Sequence, residues 1–207
     1  MYLKINPDSP QTNKIKKTVT AIKNGAVIAY PTDTVYGLGC DIFNKQAVNK
    51  IYNIKKRDKK KPLSILCADF KQASQYVIIP DYAFKLMKKI LPGPYTFILK
   101  ARNNMPKNIL AKNKTVGIRI PDNQFCLQIT KQLGSPIITT SLNISGEQNI
   151  KNLQELSKEI RNKIDLMLDA GYLPDKPSTI IDLSQDEIEI IRKGQGDLNF
   201  IDLKQPT

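Results

Sequence analysis

Short apolar runs recur along this chain, separated by stretches with the periodicity of an amphipathic helix, and that alternation narrows the fold more than any other feature. AVIAY (26–30), LSILC (63–67), YTFILK (95–100), TVGIRIP (115–121) and Ile137 to Thr140 read as strands. Between them, Ile15, Val19 and Ile22 share one face of a helix that Ser9-Pro10 opens and Asn24-Gly25 closes. Asn44 caps a second helix through Val48, Ile51 and Ile54, and a third runs from Pro80 to Ile90 until Pro92-Gly93-Pro94 stops it. Further helices are expected near 122–133 and 152–163, and further strands near 165–168, 179–183 and 188–192. Because some strands follow one another without a helix between them, the sheet is expected to be mixed rather than purely parallel. The fold class is therefore α/β, one domain over residues 1–207 with its core at about 10–200 and only the last four or five residues as a tail. A chain of 207 residues is long enough to bury roughly 70% of the surface its unfolded form exposes.

The chain contains no histidine, which removes Ser-His-Asp and Cys-His nucleophiles, imidazole bases and histidine zinc sites from consideration. Cys40, Cys67 and Cys126 have neither thiolate-motif spacing nor an even number, so buried free thiols in a reducing cytoplasm are expected. The first ten residues lack the apolar core of a leader, and no run approaches the length of a membrane span. A soluble cytoplasmic protein is expected, with no membrane partner. The formal charge of +13 is regional: residues 1–121 hold 23 basic and 6 acidic side chains, whereas residues 122–207 hold 9 and 13. Such a first segment suits polyanions, either phosphates or nucleic acid.

Four junctions are more polar than turns require. Pro31 to Gly39 puts two threonines, a carboxylate and a tyrosine directly behind an apolar strand; its plain alternative is a turn capped by Thr and Asp. Lys55 to Pro62 packs six cations and one carboxylate, either as a helix end decorated with favourable charge or as a converging oxyanion site. From Ser135 to Gly146 a strand runs into four hydroxyls and an amide before a glycine, small donors that suit phosphate oxygens, although neither GxxxxGK[ST] nor GxGxxG occurs. Pro177-Ser178-Thr179 and Arg192-Lys193-Gly194 form the fourth, a candidate clamp in the acidic part of the chain.

In order and spacing, PTDTVYGLG, Lys55-x-Arg57 before Pro62-Leu63, Pro92-Gly93-Pro94-Tyr95-Thr96, Val116-x-Ile118-Arg119-x-Pro121, Ser141-x-Asn143-x-Ser145-Gly146, Pro177-Ser178-Thr179 and Arg192-x-Gly194 resemble the YrdC/Sua5 family. The resemblance implies a YrdC-like domain whose twisted mixed sheet and helices surround a basic cavity, in the short form without the extra C-terminal domain of longer Sua5 chains. It implies a nucleotidyltransferase, an L-threonylcarbamoyladenylate synthase. That enzyme makes threonylcarbamoyl-AMP and pyrophosphate from L-threonine, bicarbonate or CO2 and ATP with Mg2+, for t6A37 modification of tRNA. The implied partners are those substrates and a downstream tRNA threonylcarbamoyltransferase machinery, with weak tRNA binding on the basic face.

Carried over residue by residue, the family's catalytic group falls on Lys55, Arg57, Ser141 and Asn143. The resemblance puts Thr32, Thr34, Lys61 and Arg119 on the amino acid, and Arg57, Thr115, Thr139, Ser141 and Arg192 on ATP, with no metal-ligating side chain. Lys55 is also the candidate base for the amino acid's ammonium, if burial and Arg57 lower its pKa. Asp58 and Lys61 depart from the usual pattern, Asp58 standing where many relatives have proline. Two other readings stay open: a module that binds RNA or nucleotides without catalysis, and a carbamoyl-transfer module of the kind found in hydrogenase maturation.

Overall fold

A computed structural model describes residues 1–185 and 187–200. Among these residues ten strands form one mixed sheet: β1 (Tyr2–Lys4), β2 (Ile28–Tyr30), β3 (Gly37–Gly39), β4 (Ser64–Leu66), β5 (Tyr95–Lys100), β6 (Thr115–Arg119), β7 (Ile137–Ser141), β8 (Leu166–Asp169), β9 (Thr179–Asp182) and β10 (Glu189–Arg192). Their spatial order is β1-β8-β2-β3-β7-β4-β6-β5-β9-β10. β8 runs parallel to β1 and β2, β4 to β6 and β5 to β9, while the other neighbours are antiparallel. The expected α/β fold with a mixed sheet is the fold observed.

Among the described residues six α-helices accompany the sheet: α1 (Thr12–Lys23), α2 (Lys45–Ile54), α3 (Phe70–Ser74), α4 (Asp81–Ile90), α5 (Gln124–Leu133) and α6 (Lys158–Asn162). Successive strand residues point to opposite faces, and the two faces bury different partners. Ala29, Ile65, Phe97, Ile118 and Ile138 pack with Val48 and Ile51 of α2 and Ala83 and Met87 of α4. Ile28, Tyr30, Leu66 and Ile137 pack instead with Ile15, Val19 and Ile22 of α1 and Phe125 and Ile129 of α5. The second layer is shorter than the sheet it covers. Beyond its edge the same alternation presents Gly37, Ser64, Thr96, Gly117, Thr139 and Ile180 on the α1/α5 face, where no helix of that layer packs on them.

Several local expectations are corrected. Ser9 does not cap α1: Gln11 is its N-cap without a side-chain bond, and Asn6 instead accepts the N–H groups of Asp8 and Ser9 in a separate turn. The expected helix over 152–163 is broken into a 3-10 turn at Leu153–Glu155 and α6, because Asn152 and Ser157 each cap a new start. Gly37–Gly39, read as a turn, is a strand in a hairpin with β2. A Cβ on Gly39 would lie 2.7 Å from the Ile138 carbonyl oxygen and 2.8 Å from the Tyr30 ring, so only glycine lets β3 fit between β2 and β7. β1 and α3 were not foreseen, and the expected tail at 203–207 lies outside the described residues. Asn44 does cap α2, its side chain accepting from Ala47 N–H at 2.9 Å. No helix among the described residues is long and apolar enough to cross a membrane.

Candidate active site

The uncovered part of the α1/α5 face floors a cleft enclosing about 700 Å3, open mouth included. Its floor crosses six strands. Ser64 sits opposite Thr139 on one side and Gly117 on the other, Gly37 opposite Ser141, and Thr96 opposite Ile180. Small side chains make the space: a Cβ on Gly117 would lie 2.5 Å from Ser64 Oγ and 3.0 Å from Thr96 Cγ2. The Thr96 and Ser178 hydroxyls are 2.9 Å apart, and Tyr30 donates its hydroxyl to Thr139 Oγ1 at 2.8 Å where the apolar layer ends.

Three arginines wall this floor. Arg57 follows α2 through Lys56, whose φ of +47° swings the chain out of the helix, and its Nη2 donates to the Pro62 carbonyl at 3.0 Å. Arg119 ends β6 and donates Nη2 to Asp33 Oδ1 at 2.6 Å, both side chains being less than a tenth exposed. Arg192 ends β10 and donates Nε and Nη2 to the Ser178 carbonyl at 3.2 and 2.8 Å. Burial, and then the like charge of Arg119, lower the pKa of Arg192. Nε of Arg57 and Nε of Arg119 are buried without a hydrogen-bond partner. Asp33, already held by Arg119, is the one carboxylate paired to these guanidinium groups among the described residues, so the cleft wall carries excess positive charge. The cleft is built for anions.

Arg57, Arg119, Thr139, Ser141 and Arg192 line the cleft together. Lys55 does not line it. Its Nζ donates to the carbonyl oxygens of Ser141 at 2.5 Å and Asn143 at 2.9 Å and to Asn143 Oδ1 at 2.9 Å, and the residue is 2% exposed. Burial first, then Arg57, lower its pKa to about 7. Three acceptors nevertheless match the three protons of an ammonium and leave no lone pair directed at the cleft, so Lys55 is an anchor for the segment after β7 rather than a cleft-facing base. Asn143 is tied to the same anchor, accepting also from Ser141 Oγ at 2.6 Å. Thr32 and Thr34 are buried beneath Arg119, outside the lining. Thr115 is not brought to the cleft: it starts β6, which Arg119 ends, and donates its hydroxyl to Asn113. Lys61 is exposed and outside the lining as well.

Ser64 and Thr96 line the cleft and were missed as site residues, because each stands inside an apolar run that reads as ordinary strand. The available signal was a hydroxyl at the position where period-two alternation calls for an apolar side chain. Ser178 and Asp33 were visible only as members of polar junctions.

The buried cysteines and Lys55 set an alkaline limit on stability. Burial pushes the thiols of Cys40, Cys67 and Cys126 above their ordinary 9.0, with Asp41, Asp69 and Asp33 adding to the effect. The folded chain keeps those protons while the unfolded chain loses them above pH 9, so this stabilisation is full below pH 9 and falls as pH rises, by about 1.4 kcal/mol per pH unit for each thiol. Lys55, moved down from 10.5 to about 7, acts oppositely between those pH values and offsets one thiol. Urea unfolding under reducing conditions at pH 9 and 10, across which the unfolded thiols are still completing their ionisation, is expected to give a net loss of about 2 kcal/mol from these groups; a flat profile would contradict burial of the thiols.

A family model, Sua5_yciO_yrdC, described as "Telomere recombination", matches residues 20–194. YciO of Escherichia coli, an uncharacterized protein, is 37% identical over 199 residues, covering 95% of this chain and 97% of its own. Its crystal structure aligns with a TM-score of 0.91 over 96% of this chain and 98% of that one. A putative threonylcarbamoyl-AMP synthase of Methanocaldococcus jannaschii is 41% identical over 174 residues, 84% of this chain and 82% of its own. The structure of P. abyssi Sua5 complexed with L-threonine aligns with a TM-score of 0.87 at 30% identity, covering 94% of this chain and 57% of that longer one.

Proposed function

The chain belongs to the Sua5/YciO/YrdC family, and on that premise we propose that it makes threonylcarbamoyl-AMP and pyrophosphate from L-threonine, bicarbonate or CO2 and ATP, for t6A modification of tRNA. Relatedness to threonylcarbamoyl-AMP synthases gives a nucleotidyltransferase-like activity at the level of the family. The observation that carries the finer reading is the convergence of three guanidinium groups, those of Arg57, Arg119 and Arg192, on a floor of glycine and hydroxyls, with Asp33 the one carboxylate paired to them among the described residues.

The reaction needs such a surface. The amine of threonine attacks CO2, giving a carbamate and a proton, and a carbamate oxygen then attacks the α-phosphorus while pyrophosphate leaves. The carbamate supplies the nucleophile, so no side chain has to, in keeping with a chain free of histidine. Two carboxylate-like groups and a triphosphate must meet in one cleft, and fixed guanidinium groups offset their repulsion without reorganising. In this reading Arg119 takes the amino-acid carboxylate, Arg57 stands where carbamate and α-phosphate meet, and Arg192 with Ser141, Thr139 and Ser178 faces the nucleotide. Lys55 and Asn143 hold the segment that carries Ser141. Among the described residues no group of three or more His, Cys, Asp or Glu side chains could hold a metal ion, so Mg2+ is treated as part of the MgATP substrate, carried on its phosphates.

The test is mass detection of threonylcarbamoyl-AMP after incubation with L-threonine, bicarbonate, Mg2+ and ATP. Product that disappears when bicarbonate is omitted is expected. Pyrophosphate release that ignores either threonine or bicarbonate would reject this substrate set.

A further inference from the structure

Thr32 and Thr34 lie at the strand exit below Arg119, 4% and 0% exposed, and their hydroxyl protons can be assigned by elimination. Thr32 Oγ1 lies 2.7 Å from the Val35 carbonyl oxygen, which can only accept, so the single proton of Thr32 goes there. The Thr32 hydroxyl oxygen is then an acceptor for its remaining neighbours, Thr34 N–H at 3.1 Å and Thr34 Oγ1 at 3.0 Å. The Thr34 proton is therefore spent on Thr32. That leaves the Thr34 oxygen to accept, and Arg119 Nη2 donates to it at 3.1 Å. The second proton of Nη2 goes to Asp33 Oδ1, whose partner oxygen accepts Asp122 N–H at 3.1 Å.

We infer that Thr34, backed by Thr32, is a positioning residue whose hydroxyl aims the Arg119 guanidinium, and that neither threonine reads the side chain of a substrate. Every proton runs one way, from Arg119 to Thr34 to Thr32 to the Val35 carbonyl. Both hydroxyls are consumed by the relay, and a substrate hydroxyl would find no free donor on either. With Nη2 fixed by Thr34 and Asp33, the rest of the guanidinium is held in one orientation against the cleft that Arg119 lines. The relay works by orientation: a guanidinium held at two points on one nitrogen keeps its remaining donors in a constant direction.

This inference rests on the amino-acid substrate proposed above, so the experiment has one arm that does not. Wild type, Thr34→Val and Thr34→Ser are compared for binding of L-threonine and of L-2-aminobutyrate, which has the same carboxylate and amine but no hydroxyl. Thr34→Val, close to threonine in shape, is expected to weaken both ligands by the same factor, about tenfold or more for a lost bond to a charged donor. Thr34→Ser is expected to restore both. Weakening of L-threonine alone would overturn the inference, because that is the signature of direct contact with the substrate hydroxyl. The independent arm records 15N NMR of the arginine side chains without ligand. Distinct, slowly exchanging Arg119 Nη signals are expected in wild type and Thr34→Ser and faster averaging in Thr34→Val; unchanged signals in Thr34→Val would overturn the relay. If wild type binds neither amino acid, the substrate reading fails and the NMR arm alone decides the relay.

Discussion

Gly194→Ala is expected to destabilise the chain by about 3 kcal/mol or more, at the upper end of what overpacking costs, and to abolish nucleotide binding. A Cβ at Gly194 would lie 2.3 Å from the Pro177 carbonyl oxygen and 2.4 Å from both the carbonyl carbon and oxygen of Ser178. These are main-chain atoms and cannot rotate away. They also belong to the cleft wall: Arg192 donates to that Ser178 oxygen, Gly194 N–H donates to Thr179 Oγ1, and Gln195 N–H donates to the Pro177 oxygen. Relief of the clash therefore has to separate the 177–179 segment from the 192–195 segment and carry Arg192 off the cleft. Replacing Ser178 as well brings no rescue, since its side chain is not what obstructs. Thermal unfolding and titration with a nonhydrolysable ATP analogue check both effects. A variant that melts within a degree or two of wild type would show that the two segments do not pack this closely.

Arg119→Met is expected to be nearly as severe, and for a different reason. It leaves Asp33 buried with the single remaining bond from Asp122 N–H, and breaking a buried ion pair from one side costs about 3–5 kcal/mol. In a chain of this size each kcal/mol lowers Tm by roughly 2–4 °C. Threonine-dependent product formation should fall at least a hundredfold, since the lost contact is a charge-assisted one. Adding Asp33→Asn to Arg119→Met removes the stranded charge, so most of the stability should return while activity does not. That divergence separates the structural role of the pair from the anion-binding role of the guanidinium. Full stability in Arg119→Met alone, measured by urea unfolding at pH 7, would mean that Asp33 is solvated and the pair is not buried.

The ordered motifs led to the correct family, and the apolar runs to the correct fold class, because both depend on local order along the chain. β5 was read to the residue from the alternation of YTFILK, and the cap of α2 from Asn44 alone. The failures have a common cause in tertiary contact. Gly37–Gly39 has the composition of a turn and becomes a strand only because β2 and β7 supply hydrogen bonds on both sides. Thr115 and Arg119 share a face of β6, yet that strand carries them to opposite ends, so proximity to a motif was no guide to the cleft. Lys55 reads as one cation among six, and nothing local announces that its Nζ is enclosed by three oxygens from a segment 86 and 88 residues away.

By itself, the sequence determined the mixed α/β fold, the positions of most elements, the residue types available for chemistry and the exclusion of histidine-based mechanisms. Those follow from periodicity, capping and composition, which act over a few residues. Tertiary structure alone decided which polar side chains face the cleft and which are spent inside the protein. The α1/α5 layer stops short of the sheet it covers, so Ser64, Thr96 and Thr139 become a floor where a longer layer would have required apolar side chains. Hydrogen bonds between distant segments then divide the polar residues of the motifs into those that line the cleft, such as Arg57 and Arg119, and those enclosed inside the protein, such as Lys55, Thr32 and Thr34.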